Sequence, residues 1–466
     1  MGLFIMTPSA GSAQEFPKGQ VIDRVICAKD NESSYALYLP SAYSIEKEWP
    51  VIVCFDPRAQ GRRPVELLRS AAESYGYIVA GSLDSKNGPL EPSQKAAKAV
   101  WADIQERFSI DPERIFAAGF SGGAEVAVLF PYFVETKVAG IISCGAGLPS
   151  RHEPQWVKPA AYCGIIGSLD FRYWDMARLE EPFAKAEVTH RIIFFDGWHQ
   201  WPSGELLGEA VEWLELIAMK SGLRAKETPF IAAEYQKRWS KAHTLEAEGR
   251  LARSVHELEG IVSDFRDLLD MSGAEEKVAE IKARPEYQKM EKEKGAAAEK
   301  ELVLQPRTLQ VFANFDQLVS AQAVVRLKDI ERALGIDGLL ADSSQKKNIF
   351  QSEMAKRILS QIAILADQRG FKARESGNFP LAALCFELAM KSSAGHPMNP
   401  GEYYNLGSAY ALWGKTKDAL KNLRLAVEKG FDDLEFLEND RDLDSLRGTE
   451  EYKSLVNRLK SKGDSR

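Results

Sequence analysis

The sequence predicts an α/β fold with a mostly parallel sheet, followed by an all-helical region. Three observations carry this. Six continuous apolar runs of strand length occur in the first half, at residues 51–55, 77–80, 115–118, 138–144, 160–166 and 191–195. They lack in/out alternation, the pattern of strands covered on both faces. Amphipathic stretches lie between them, one at 64–75 and one with Val100, Trp101, Ile104 and Phe108 at helical spacing. Strands alternating with helices of about ten residues indicate βαβ units. Near residue 225 the strand signals largely stop, and Ala, Leu, Glu, Lys and Arg take over.

Taken in order, the elements begin with an expected antiparallel hairpin at one edge of the sheet. Residues 21–27 and 34–39 alternate apolar and polar side chains around Asp30, Asn31 and Glu32. The boundaries read as a tail at 1–19, an α/β domain at 20–225, a helical connector at 226–350 and helical repeats at 351–466. A chain of 466 residues has room for two to four domains of roughly 100–200 residues each. The opening segment MGLFIMTPSAGSAQ has a small-residue stretch but a short apolar run and no basic start. It reads either as a tail or as the remnant of an export leader, so compartment stays open between exported and cytoplasmic. The longest apolar run, 126–134, is too short to cross a membrane and contains Pro131.

Net charge is −7, from 60 basic and 67 acidic residues, and most of the acidic excess lies in the first 225 residues. Neither half carries a basic footprint for nucleic acid. The five cysteines, Cys27, Cys54, Cys144, Cys163 and Cys385, show no CxxC spacing and read as buried thiols. No metal or cofactor motif is present.

The helical half contains a repeat. Residues 402–430 place Tyr403, Leu406, Gly407, Tyr410, Gly414, Ala419, Leu423 and Ala426 where two helices of a hairpin must touch or fill the layer beside them. A second copy, offset by 37 residues, has Gly370, Gly377, Ala382, Phe386 and Ala389. A weaker third copy places Gly249, Ser254, Leu258 and Ile261 in register. The pattern resembles the tetratricopeptide repeat, with an extension through 392–399. Such hairpins imply a concave surface for a protein or peptide partner. The Lys/Glu-rich stretch at 289–300 reads as a solvated helix face.

The chemistry lies in the first half. Gly119, Phe120, Ser121, Gly122 and Gly123 form a GxSxG sequence after one strand run and before a helical stretch. This is the context in which a sharp turn lifts a serine hydroxyl above a sheet. Gly122 N–H then faces a developing oxyanion. A serine needs a base and an orienting acid. His199 follows the last strand run; His152 and His190 sit in poorer places. The acid is expected between serine and histidine, and Asp170 follows the strand run at 160–166, with Asp175 one helical turn away as the alternative. Asp196 reads as a turn-former. The second oxyanion donor is expected from the loop Asp56 to Gly61; Pro57 has no N–H, which leaves Arg58 or Ala59. Phe171, Tyr173, Trp174, Trp198 and Trp201 flank the acid and the histidine, either as an aromatic acyl pocket or as packing.

On these residues, together with Gly167, Ser168 and the His199-Gln200-Trp201-Pro202 segment, residues 20–220 resemble an α/β-hydrolase of the putative-esterase type. That group includes polyhydroxyalkanoate-depolymerase-like and feruloyl-esterase-like enzymes. The helical repeats are similar to those fused to such hydrolases in bacterial proteins. The resemblance implies an acyl-serine mechanism with Ser121 as nucleophile, His199 as base and Asp170 as its partner, acting on a small-molecule or polymer ester without a cofactor. Where such esterases carry His-Gly, this chain has Asp56-Pro57. Two other classes stay open. One is an idle hydrolase scaffold beside a binding repeat; the other is a serine peptidase of the prolyl-oligopeptidase type.

Overall fold

The computed structural model describes residues 16–150, 152–320, 326–393 and 399–463. The leader or tail reading at 1–14 and most of the 392–399 extension lie outside the described residues. The chain divides into two compact units, residues 1–284 and 285–466.

The first unit is built on an eight-stranded sheet of order β1-β2-β4-β3-β5-β6-β7-β8. β1 (Val21–Cys27) and β2 (Asp30–Tyr38) form the expected antiparallel hairpin. Its turn is Ala28-Lys29 rather than residues 30–32, because Cys27 pairs directly with Asp30. The buried Asp103 carboxylate holds this turn by accepting from Ala28 N–H (2.7 Å) and Tyr35 O–H (2.8 Å). β2 also runs antiparallel to β4 (Ile78–Ser82). The remaining pairings are parallel, through β3 (Trp49–Phe55), β5 (Ile110–Phe120), β6 (Gly140–Cys144), β7 (Ala161–Gly167) and β8 (His190–Phe195). The sheet is thus mostly parallel and flanked by helices, as the alternation of apolar runs and helical stretches predicts.

Each strand feeds two cores, which is why the apolar runs are continuous. Val51, Val53 and Phe55 of β3 pack with α2 (Leu90–Arg107) and α3 (Gly122–Val134) on one face, against Val100, Trp101, Ile104 and Phe130. Ile52 and Cys54 face the other way. They join Val65 and Leu68 of α1 (Arg62–Tyr75) and Leu207 and Trp213 of a long helix at Gly204–Ser221. Between β7 and β8 lie two short helices, α4 (Tyr173–Ala177) and α5 (Glu180–Lys185), so the long helix is α6. The five cysteines are buried and free. Burial pushes the Cys27 thiol up to about 12, so these groups stay protonated fillers.

The composition change near 225 marks the end of α6, whereas the division between units falls sixty residues later, at 284/285. The reason is a buried ionic network. Arg238 of α7 (Thr228–Ala247) donates to Glu257 (2.7 Å) and Asp264 (2.6 Å) of α8 (Leu251–Phe265), and Arg191 of β8 reaches the same Glu257 (3.0 Å). Burial disfavours a charged Glu257, but Arg191, Arg238 and Lys241 together hold it well below the usual carboxylate range. Breaking one partner of such a network leaves a buried charge unpaired and is strongly destabilising. It ties the helical hairpin to the sheet. α9 (Ser272–Ala283) closes the unit.

The second unit is helical: α10 (Pro285–Ser320), α11 (Leu327–Leu334), α12 (Ile336–Ser343), α13 (Ile349–Glu375), α14 (Phe379–Ser392), α15 (Pro400–Leu412), α16 (Thr416–Glu428), α17 (Leu434–Asn439) and α18 (Glu450–Gly463). Gly370 of α13 lies under the Phe386 ring of α14, and Gly407 of α15 lies under Leu423 of α16. The matching small positions Ala382, Ala389, Ala419 and Ala426 are buried. Buried Arg357 grips Glu301 through two nitrogens (2.9 and 2.7 Å), joining α13 to α10. Lys289, Lys292 and Lys300 face solvent on α10. Among the described residues no helix is long and apolar enough to cross a membrane.

Candidate active site

β5, β7 and β8 run parallel, so the loops that leave their C-terminal ends meet at one edge of the sheet. The first of these is the turn from β5 into α3. Ser121 sits there at φ +54°, ψ −122°, a conformation that L-residues avoid at a cost of about 1–3 kcal/mol. The turn is held by Ser121 N–H donating to Cys144 O of β6 (2.8 Å). Its tightness demands two glycines without side chains. A Cβ on Gly119 would lie 2.1 Å from Gly123 O, and one on Gly123 would lie 2.2 Å from Phe55 O.

The loops after β7 and β8 are zipped together beyond the strands. Ser168 N–H donates to Phe195 O (2.8 Å) and Leu169 N–H to Gly197 O (2.9 Å). This brings Asp170 and His199 face to face. His199 Nδ1 is 2.8 Å from Asp170 Oδ2, and His199 Nε2 is 2.9 Å from Ser121 Oγ. Asp170 is 1% exposed, and its other oxygen accepts from Arg172 N–H (2.8 Å). A carboxylate only accepts, so Nδ1 carries the ring proton and Nε2 presents a lone pair to the serine hydroxyl. The imidazole is clamped between Phe120 (ring centroids 4.7 Å) and Phe171 (4.6 Å). Such an arrangement can take the Ser121 proton as Oγ attacks an electrophile.

The other candidates for base and acid lie elsewhere. Asp175 pairs with Arg172 (2.7 Å), whose guanidinium also reaches Glu125 of α3 (2.9 Å). Asp196 pairs with Arg250 and Arg253 (both 2.7 Å). His190 opens β8 at the opposite end of the strand, and the His152 ring faces Ser150 O and Trp156.

Gly122 and Gly123 open α3, where the first N–H groups have no acceptor within the helix. The two N–H groups expected as second donor lie in the loop after β3. Arg58 N–H donates to Asp56 Oδ1 (2.8 Å), and Ala59 N–H donates to Asp56 O (3.3 Å). Both assigned groups are thus engaged within their own loop. Asp56 is 3% exposed and also accepts from the Trp201 indole N–H (2.7 Å) and Gln60 N–H (3.2 Å). Trp201 is placed by the same contact. It is buried, its ring lies tilted against Phe120 (centroids 5.6 Å), and it is bonded to Asp56. Phe171, Tyr173, Trp174 and Trp198 are half-buried. Tyr173 packs on Trp174 and Phe194, and the Phe171 ring lies against His199.

Sequence reasoning missed Asp56, Arg172 and Asn87. Asp56 carried a signal: a carboxylate directly after a buried strand needs several donors. Asn87 carried none, since it comes from the exposed loop after β4 and meets Gly122 only through the fold.

No protein-family model matches this chain. No curated protein matches it. Among solved structures it is similar to the substrate-bound fluorophosphonate-binding serine hydrolase F of Staphylococcus aureus, at 12% identity and TM-score 0.33, over 39% of this chain and 92% of that one. It is also similar to a ferulic acid esterase, at 14% identity and TM-score 0.34, over 42% and 97%. A third is the butyrate-bound esterase 2 of Thermogutta terrifontis, at 16% identity and TM-score 0.34, over 44% and 95%. These neighbours are esterases and serine hydrolases, and they match the N-terminal ~40% of the chain.

Proposed function

We propose that the first unit is a serine hydrolase that cleaves carboxylic esters through an acyl-serine intermediate. The observation that carries this reading is the unbroken hydrogen-bonded chain from Ser121 Oγ through His199 to Asp170, with the serine on a strained turn. A merely structural Gly-rich turn has no use for a serine at positive φ aimed at a histidine whose far nitrogen is held by a buried carboxylate.

In this reading His199 Nε2 takes the hydroxyl proton as Ser121 Oγ attacks the ester carbonyl. Gly122 N–H holds the oxyanion. The protonated imidazole, oriented by Asp170, gives its proton to the leaving alcohol. Water, activated by the same Nε2, then releases the acid and restores the serine. Phe171 and Trp198 border the acyl group beside the imidazole. The helical hairpins of the second unit are tetratricopeptide-type repeats that bind a protein or peptide segment. That part of the proposal is supported by Gly370 and Gly407 beneath Phe386 and Leu423 at equivalent positions of two hairpins.

A p-nitrophenyl ester series, from acetate upward, tests the catalytic reading. Wild type should turn over the short esters, and Ser121→Ala should lose at least ~10⁴-fold in kcat/KM. A Ser121→Ala protein that keeps wild-type turnover sinks the assignment. Turnover of peptide amides with none of the esters moves the activity to a peptidase.

A further inference from the structure

We propose that the side-chain carboxamide of Asn87 is the second oxyanion donor; this rests on the ester-hydrolase reading of Ser121. Two facts leave a vacancy for such a group. A developing oxyanion is best held by two fixed donors, and Gly122 N–H supplies one. The backbone donors of the β3 loop that stand nearest in sequence, Arg58 and Ala59, are both engaged by Asp56.

Asn87 is the side chain that stands over Gly122. Its Oδ1 lies 1.9 Å from where a Cβ on Gly122 would be, its Cγ 3.1 Å and its Nδ2 3.7 Å. The carboxamide therefore occupies the space that a side chain on the first residue of α3 would take, one residue from Ser121. This also explains why position 122 carries no side chain. A half-turn of the amide exchanges Oδ1 for Nδ2, and a negatively charged oxygen selects the donor orientation.

The loop that bears Asn87 is held in place by its backbone. Asn87 N–H donates to Pro57 O (2.9 Å), and Arg58 pairs with Lys86 as an antiparallel bridge. The buried Ser93 hydroxyl lies 3.2 Å from Lys86 O and 3.3 Å from Lys86 N. The loop backbone is thereby fixed, so that only the amide itself has to turn to present its donor. Asp56 organises the same corner from below, by fixing the residues to which Asn87 is tied.

The test uses the full chain and the ester of the series that it turns over best. Asn87→Ala and Asn87→Asp, which keeps the size but removes the donor, should each lower kcat by about 10²–10³-fold with KM within threefold. Gly122→Ala keeps its N–H but takes the space of the amide, so it should show the same loss. The double variant Asn87→Ala/Gly122→Ala should lose no more than either single one, because both remove the same donor. The proposal is overturned by an Asn87→Ala protein with kcat within threefold of wild type, or by a loss confined to KM. An Asn87→Asp protein at wild-type rate also overturns it. If wild type is active while Asn87→Ala matches it, this proposal alone falls. If wild type neither turns over an ester nor reacts with a fluorophosphonate, the hydrolase reading falls and takes this proposal with it.

Discussion

Two pairs of tightly packed glycines, one in each unit, are there for different reasons. In the first, Gly119 and Gly123 are pressed against backbone: carbonyl oxygens lie 2.1–2.2 Å from where their Cβ atoms would be. In the second, Gly370 and Gly407 are pressed against side chains, the Phe386 ring at 2.5 Å and Leu423 Cγ at 3.0 Å. Backbone that belongs to a sheet and a helix cannot retreat, whereas a leucine or phenylalanine can turn or shift. The rigid contacts surround Ser121 and fix the turn on which it sits. The adjustable ones only close a helical hairpin. A strained, sterically exacting corner thus marks where geometry must be held, and forgiving packing marks where it need not be.

Four substitutions sharpen this contrast, in descending order of effect. Gly123→Ala should lose about 3 kcal/mol of stability along with ester turnover, because the new methyl has no room against Phe55 O; thermal unfolding and the ester assay read both. A Gly123→Ala protein as stable as wild type breaks the comparison.

The α7–α8 hairpin of the first unit lies between the two cases, since buried charge holds it. Burial, with a smaller push from Glu212, raises the Glu234 carboxyl from 4.5 to about 7 against the pull of Lys237, Arg191 and Arg238. A raised carboxyl pKa means the folded state binds that proton more tightly than the unfolded state. Its contribution to stability is full below about pH 4.5 and is lost as pH climbs through 7. Glu234→Gln should therefore be more stable than wild type by roughly 2–3 kcal/mol at pH 8.5 and equal to it at pH 4.5. Equal Tm differences at both pH values contradict this.

Trp201→Phe keeps the ring beside Phe120 but removes the N–H from buried Asp56. It should cost about 2 kcal/mol in urea unfolding, the value of a lost bond to a buried carboxylate. Least affected is Gly407→Ala. The gain of about 1 kcal/mol from alanine in a helix offsets a contact that Leu423 can relieve, so its stability should stay within about 1 kcal/mol of wild type. Ester turnover should not change.

Much of the first unit is readable from its apolar runs. A parallel strand covered on both faces must be apolar at every position, so runs such as 51–55 and 160–166 announce themselves. Chain order then puts Ser121, Asp170 and His199 at the ends of three parallel strands. The corner around Asp56 was harder to read. Asp56 accepts from Arg58 and Gln60 N–H within its own loop, but its bond to Trp201, 145 residues away, depends on a contact between distant loops. The attachment of α7–α9 to the sheet unit was equally hidden. Helical composition begins after 225, while the Arg191–Glu257–Arg238 network that decides membership is formed by single charged residues without periodicity.

The sequence by itself determined the elements, their order and the placing of a serine, an acid and a histidine at strand ends, because these follow from local periodicity and from the glycines a tight turn demands. Only the tertiary structure decided which polar atoms are engaged and which stand ready. Asp56 holds two N–H groups that spacing alone offered as oxyanion donors, Trp201 is buried beneath the site, and Asn87 stands over Gly122. The physical reason is that hydrogen bonds saturate. Asp56 takes the Arg58 and Ala59 N–H groups from within their own loop, while its bond to Trp201, 145 residues away, comes only with the fold.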